Sequence, residues 1–319
     1  MSAMENDSES EACVPGDLFA GIEFTPADEQ PRRTVPAAYQ VASGEPANFV
    51  RFRARAPLVM RKLAAGWPAV ARWSDASVLK SLTCDSSAER ILEEKHGVGQ
   101  ESDEGRGVLV LRSRSGRRFL KRDCIEERWP LANIIDHVSN THCSDAIYAR
   151  APLTAQAAAH CDLSLIEDMM GMPAKLENCG VWIGSSRNIT PFHYDLCHGF
   201  LVQICGTKTF TFVEPAQWSC MYPRHGGPEL SKVDFEAWQG LCGPEAAASE
   251  RQRKPKFADA DLRSVTLEPG DVMYTPPFWW HHVSTGDAPG VSVLVPFDQS
   301  QSEASTLGEG SSHYLVHYS

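Results

Sequence analysis

The stretch TPFHYDLCHGFLVQICGTKTFTFVEP, residues 190–215, sets a histidine two positions before an aspartate and then continues as strand-like sequence. In an extended chain the side chains at i and i+2 share a face, so His193 and Asp195 project together while Tyr194 points away. Gly206-Thr207 is placed to turn a hairpin. In the KTFTFV that follows, alternation sets Lys208 on the face of Phe210 and Phe212, opposite Thr209 and Thr211. An ammonium on an inward face costs several kcal/mol unless an anion meets it. Lys208 therefore either snorkels to water from an edge strand or faces a carboxylate, supplied by the protein or by a ligand.

Downstream, LEPGDVMYTPPFWWHHVS (267–284) launches a strand from a Pro-Gly-Asp turn and ends it in two prolines and two adjacent histidines. Neighbours in an extended chain face opposite sides, so only one of His281 and His282 can join His193 and Asp195. Two histidines and one carboxylate on one side of a metal form the facial triad of non-haem Fe(II) oxygenases. Eleven histidines make chance pairs easy. His160 and Asp162 repeat the spacing after an Ala-rich, helix-favouring run, where i and i+2 diverge, and are expected to hold no metal. His198, His225, His313 and His317 have no partner at a readable spacing and are read as core or surface histidines.

From Val181 to Phe297 the chain is a series of short β-branched and aromatic runs separated by turns, the pattern of an antiparallel sandwich or barrel. The preceding half mixes elements. APLVMRKL (56–63) predicts a short buried strand, VARWSDASVLKSL (70–82) a helix, GVLVLRSRSGRRFL (107–120) a hairpin turning at Ser115-Gly116, and WPLANIIDHV (129–138) a helix with proline in its first turn. The segment 222–264 is long for a sheet connection and reads as a lid or substrate-binding excursion. Its RQRKPK (251–256) reads as a solvated loop, with a patch for an acidic peptide or RNA, or a nuclear signal, as the alternatives.

With 319 residues, 42% of them apolar, the chain can bury a sizeable core, and its net charge of -11 gives no general attraction to nucleic acid or anionic membrane. Ten cysteines without a C-x-x-C pair fit reduced thiols. The acidic start carries no secretory pattern and no apolar run approaches a membrane span, so a cytoplasmic or nuclear location is expected. Residues 1–17 and the polar tail 299–319 are expected to be disordered and flexible, flanking one domain over 35–298 with an N-terminal flank (35–180) and a barrel core (181–298).

NITPFHYD, a lysine fifteen residues after the histidine, YP followed by SKVD, and EPGDVMYTPPFWWHHV together resemble the JmjC (cupin-like) 2-oxoglutarate oxygenases. Within them the resemblance points to the small hydroxylase branch typified by the asparaginyl hydroxylase factor inhibiting HIF. It implies a mainly β fold, a double-stranded β-helix or jelly-roll, with His193, Asp195 and His281 as Fe(II) ligands and His282 facing away. It also implies that Lys208 pairs with the distal carboxylate of the cosubstrate 2-oxoglutarate, that Thr190 hydrogen-bonds the same group, and that Tyr148 reaches it from upstream. Where the branch often carries asparagines, this chain has Gly199 and Pro296. The implied reaction uses O2 to hydroxylate a protein side chain while 2-oxoglutarate becomes succinate and CO2. An N-methyl-lysine demethylase, a tRNA-nucleoside hydroxylase and a catalytically silent metal-binding interaction protein are the alternatives.

Overall fold

The computed structural model describes residues 56–82, 107–114, 116–120, 123–140, 143, 145–225 and 227–297. Apolar runs become strands: β1 (Leu58–Met60), β2 (Val108–Ser113), β3 (Cys124–Trp129), β4 (Ile147–Pro152), β5 (Gly180–Gly184), β6 (Ile189–His193) and β7 (His198–Cys205). They continue with β8 (Lys208–Val213), β9 (Pro223–Arg224), β10 (Gly227–Ser231), β11 (Arg263–Leu267), β12 (Val272–Thr275), β13 (Trp280–Thr285) and β14 (Gly290–Phe297). Among the described residues these form a large sheet, β1-β12-β7-β14-β5-β4-β2-β3, and a small one, β11-β8-β13-β6-β10-β9. The ladders are antiparallel, and Phe210, Phe212 and Leu267 of the small sheet share a buried cluster with Val59 and Met273 of the large one. Two facing antiparallel sheets make a mainly β jelly-roll core.

The large sheet is dry on one face and partly wet on the other. Its outer face buries Phe200, Val202, Val293 and Val295 against Trp67, Trp73, Ile134, Ile135 and Ile166. Those partners lie in and around five helices: α1 (Pro68–Arg72), α2 (Ala76–Ser81), α3 (Leu131–Ser139), α4 (Ala155–Ala158) and α5 (Ser164–Met170). Each large side chain so buried stabilises the fold by about 1.5–3 kcal/mol. The alternate residues Tyr148, Arg150, Trp182, Leu201 and Leu294 face the barrel interior and are only half-buried. Gly206, at φ 66°, makes the β7–β8 turn; a Cβ there would sit 2.4 Å from the Pro289 carbonyl, so only glycine fits.

Three sequence expectations need correction. The helix predicted over 70–82 is two short helices, because Asp75 leaves helical geometry to cap α2 by accepting from Ser77 N. The hairpin predicted over 107–120 is instead β2 with β3, pairing Val108 with Trp129 and Ser113 with Cys124. Ser115 lies outside the described residues, and Phe119 N donates to Ile189 O rather than back to β2. Pro130 is the N-cap of α3, one position earlier than predicted.

The 222–264 segment, expected as a lid, contains β9 and β10, α6 (Phe235–Trp238) and α7 (Pro244–Arg253), and it buttresses the outer face of the small sheet. Its Val233, Phe235 and Phe257 bury against Phe192, Val213 and Trp280. The basic run ends α7 with local partners: Arg251 donates to Trp238 O (2.9 Å), Arg253 pairs with Glu250 (2.8 Å) and Lys254 lies over Tyr222.

The Pro-Gly-Asp turn before β12 is held by Asp271, whose side chain is fully buried. It accepts from Lys62 N (2.9 Å), Glu268 N (3.0 Å) and Arg61 Nη1 (2.7 Å). Burial pushes the carboxyl up, but the bonds from Glu268, Lys62 and Arg61 outweigh it and hold the pKa below the ordinary value. A depressed carboxyl contributes stability that is complete above the unfolded-state value of about 3.9 and is lost as pH falls through the folded one. Asp271→Ala, which orphans two backbone donors, should cost roughly 2–4 kcal/mol at neutral pH. In denaturant titrations against pH the gap between the variant and the wild-type chain should narrow as pH falls below the ordinary carboxylate value, because only the ionisation-linked part of the loss is pH-dependent.

Candidate metal centre

β13 runs between β6 and β8, and its register decides which side chains meet. His281 stands opposite His193 on β6 and Phe212 on β8. Val283 stands opposite Thr190 and Phe210, and Thr285 opposite Lys208. Directly opposed residues share a face, so all of these line the inner side of the small sheet. From Thr190 to His193 β6 uses three steps where β13 uses two from Val283 to His281. That bulge turns Thr190 to the side of His193, whereas strict alternation would separate them.

At the level of His281 three donors converge. The rings of His193 and His281 are 4.1 Å apart between centroids, and His281 Nε2 is 3.7 Å from Asp195 Oδ2. The ligand-type atoms of His193, Asp195 and His281 all lie within 4.8 Å of one another. Each imidazole places Nδ1 2.9 Å from a carbonyl two residues back along the chain, Pro191 O for His193 and Trp279 O for His281. A carbonyl only accepts, so Nδ1 carries the proton and Nε2 is the lone-pair nitrogen of the neutral ring. Burial pulls His193 well below the ordinary histidine value, with the His281 ring adding to it. Asp195 lies just past the end of β6, where its carbonyl accepts from Phe278 N (2.8 Å). Burial pushes its carboxyl up and His281 opposes the shift. Two imidazole Nε2 atoms and one carboxylate on one side of a gap are a donor set for a divalent first-row metal.

His282 faces the other side of the sheet, with Nε2 2.5 Å from Glu236 Oε1 on α6. At the floor Lys208 is 1% exposed and hydrogen-bonds Tyr148 Oη at 3.3 Å. Among the described residues no carboxylate lies within ion-pairing distance of it, and burial lowers its pKa to about 7. Tyr148 comes from β4 in the other sheet, and burial pushes its hydroxyl up. Gly184 stands opposite Tyr148, and Gly290 opposite Gly184. A Cβ at Gly184 would lie 2.9 Å from the tyrosine ring and 2.8 Å from Asn188 Nδ2, so glycine there leaves the ring its place beside Lys208. A buried ammonium with a phenol beside it and no carboxylate of the described chain to meet it is a seat for a carboxylate.

The structure thus gathers His193, Asp195 and His281 at one level and Lys208 with Tyr148 below them, with Thr190 on the same inner face. Gly199 and Pro296 oppose each other across β7 and β14 and offer no side-chain hydrogen bond to the interior. His160 accepts from Trp73 Nε1 (3.2 Å) and Asp162 caps Ser164, both away from the centre. His198 bonds Tyr274 Oη (2.8 Å) and stacks on Phe297, with burial lowering its pKa to about 4. His313 and His317 lie outside the described residues. Sequence reasoning missed Arg150, two residues beyond Tyr148 on the same face, although the same alternation reaches it.

Residues 47–303 match the family described as Cupin-like domain. Jumonji C domain-containing protein 5 of Drosophila melanogaster is 27% identical over 244 residues, 76% of this chain and 54% of the relative. HSPB1-associated protein 1 of Homo sapiens is 28% identical over 137 residues, 43% of this chain and 27% of the relative. Lysine-specific demethylase 8 of Xenopus tropicalis is 28% identical over 108 residues, 33% of this chain and 22% of the relative. The chain spans about half the length of the first of these relatives and less of the others.

Proposed function

Since the chain belongs to the Cupin-like domain family, as a JmjC-type cupin, we propose that it is an Fe(II)- and 2-oxoglutarate-dependent oxygenase that hydroxylates a protein side chain. Lys208 carries the reading: a fully buried ammonium below a His-Asp-His cluster, with no anion of the described chain to meet it, suits a cosubstrate that brings its own carboxylate. His193, Asp195 and His281 would hold the metal, and Lys208 with Tyr148 and Thr190 the distal carboxylate. Fe(II) with 2-oxoglutarate and O2 supplies the oxidation of a C–H to C–OH, coupled to formation of succinate and CO2. The chain's own part is positional. Carbonyls of Pro191 and Trp279 lock both imidazoles with Nε2 toward the gap, and the aromatic walls Phe210 and Phe212 keep water from the space between metal level and floor.

The relatives named lysine-specific demethylases support a second reading, oxidation of an N-methyl group. A hydroxylated side-chain carbon is a stable alcohol, whereas a hydroxylated N-methyl collapses to formaldehyde. Incubation of the full chain with Fe(II), 2-oxoglutarate and a proteome-derived peptide pool should give succinate and peptides that retain one added oxygen. Formaldehyde in step with succinate, and products lighter by one methylene, would establish the demethylase instead. No succinate above a His281→Ala control would sink both.

A further inference from the structure

We propose that Arg150 is a specificity-determining residue that receives an acidic side chain of the substrate next to the carbon to be oxidised, an assignment that rests on the oxygenase reading above. Arg150 lies on β4 opposite Trp182, two residues from Tyr148, and therefore faces the barrel interior. Tyr148 touches Lys208 at the floor. Two strand residues carry the chain about 6.6 Å, so Arg150 stands that much nearer the end where β7 starts and Asp195 sits. Cys179, beside Gly180, and then Cys197, two residues past Asp195, lie within electrostatic reach of the guanidinium. The arginine stem lies across Gly180, where a Cβ would be 2.6 Å from Nε and 3.1 Å from Cγ. Any larger residue at that position would displace it.

A guanidinium offers five N–H donors in a fixed fork. Here it makes one hydrogen bond, Nη2 to Asn178 O at 2.8 Å, and among the described residues no carboxylate comes within ion-pairing distance. It is half-buried, and burial lowers its pKa, so its charge is poorly compensated by water. A single tether to a carbonyl needs no guanidinium; the remaining donors fit a carboxylate side-on. Lys208 at the floor and Arg150 above it are separated along the strand, so each would take a different carboxylate, the cosubstrate's below and the substrate's above. One lone arginine suits a monoanion better than a phosphate dianion, which is met by clusters of cations. The same charge repels a methylated lysine approaching it, which favours hydroxylation over demethylation.

The test uses immobilised full chain, loaded with Mn(II) and 2-oxoglutarate under nitrogen, to select from a randomised peptide library that includes phosphoserine. Wild-type protein should enrich Asp or Glu at one position roughly tenfold, as expected for a charge-assisted bond. Arg150→Lys should keep part of that preference and Arg150→Gln should lose it, with melting temperatures of both variants near wild type. Identical profiles for wild type and R150Q would overturn the assignment, as would selection of phosphoserine over Asp and Glu. Equal thermal collapse of R150K and R150Q would make Arg150 a structural tether and overturn it too. Calorimetry of wild-type chain with 2-oxoglutarate stands apart: absent binding there refutes the oxygenase reading itself.

Discussion

Lys208→Met is expected to stabilise the ligand-free protein while abolishing its affinity for 2-oxoglutarate. The lysine is 1% exposed, and burial pulls its pKa from 10.5 to about 7. Between those values the unfolded chain holds a proton that the folded chain has released, so the stability of the ligand-free protein rises with pH across that window. The burial penalty is thus complete below about pH 7 and fades toward the ordinary lysine value. Methionine fills similar space without a charge, so it removes the penalty and flattens the pH slope. Binding reverses the sign. A dicarboxylate stabilises the ammonium, so wild-type affinity should be greatest below about pH 7 and weaken above it. Losing one member of such a desolvated pair costs roughly 3–5 kcal/mol, between two and four orders of magnitude in the dissociation constant. Thermal melts across pH and calorimetric titration read the two effects separately. A K208M protein that melts lower than wild type in every buffer and still binds 2-oxoglutarate normally would mean that Lys208 has a structural partner.

What the sequence exposes here is whatever depends on local period, and what it hides depends on pairing. Alternation alone puts His193 inward and Tyr194 outward, and the structure packs Tyr194 against Trp218 and Trp280 on the outer side. Lys208 beside Phe210 and Phe212 is legible in the same way. Thr190 is not, because the bulge opposite His282 has no residue signature and strict alternation gives the wrong face. Tyr148 meets Lys208 only through the closure of two sheets, a contact sixty residues apart along the chain that no local pattern encodes. The 222–264 segment misled by its length. Val233, Phe235 and Phe257 were the available clue, since a solvent-facing lid has little use for three large apolar residues that here seal the back of the small sheet.

The adjacent histidines should separate metal binding from stability. His281→Ala deletes one of three donors from a cluster whose other members cannot close around a cation, so Mn(II) affinity should fall by at least an order of magnitude while the metal-free melting temperature changes little. His282→Ala should do the reverse. Its ring is buried between Phe192 and Phe235, and its Nε2 is the close partner of Glu236, itself 7% exposed. With the ring gone that carboxylate keeps, among the described residues, Arg118 Nη1 at 3.6 Å, and its Oε2 already lacks a hydrogen bond there. Removing the close partner of a buried pair costs about 3–5 kcal/mol, with the distant Arg118 contact drawing the loss toward the lower figure, which for a domain of this size lowers the melting temperature by roughly 10 °C. If the loss comes from the stranded carboxylate rather than from the cavity, removing both partners should restore much of it, because an apolar pair of similar volume avoids the desolvation of both groups. His282→Phe with Glu236→Met is therefore expected to melt well above His282→Ala, and to bind Mn(II) like wild type. A double variant no more stable than His282→Ala would assign the loss to packing against Phe192 and Phe235. Metal binding lost in His282→Ala and kept in His281→Ala would reverse the faces of β13.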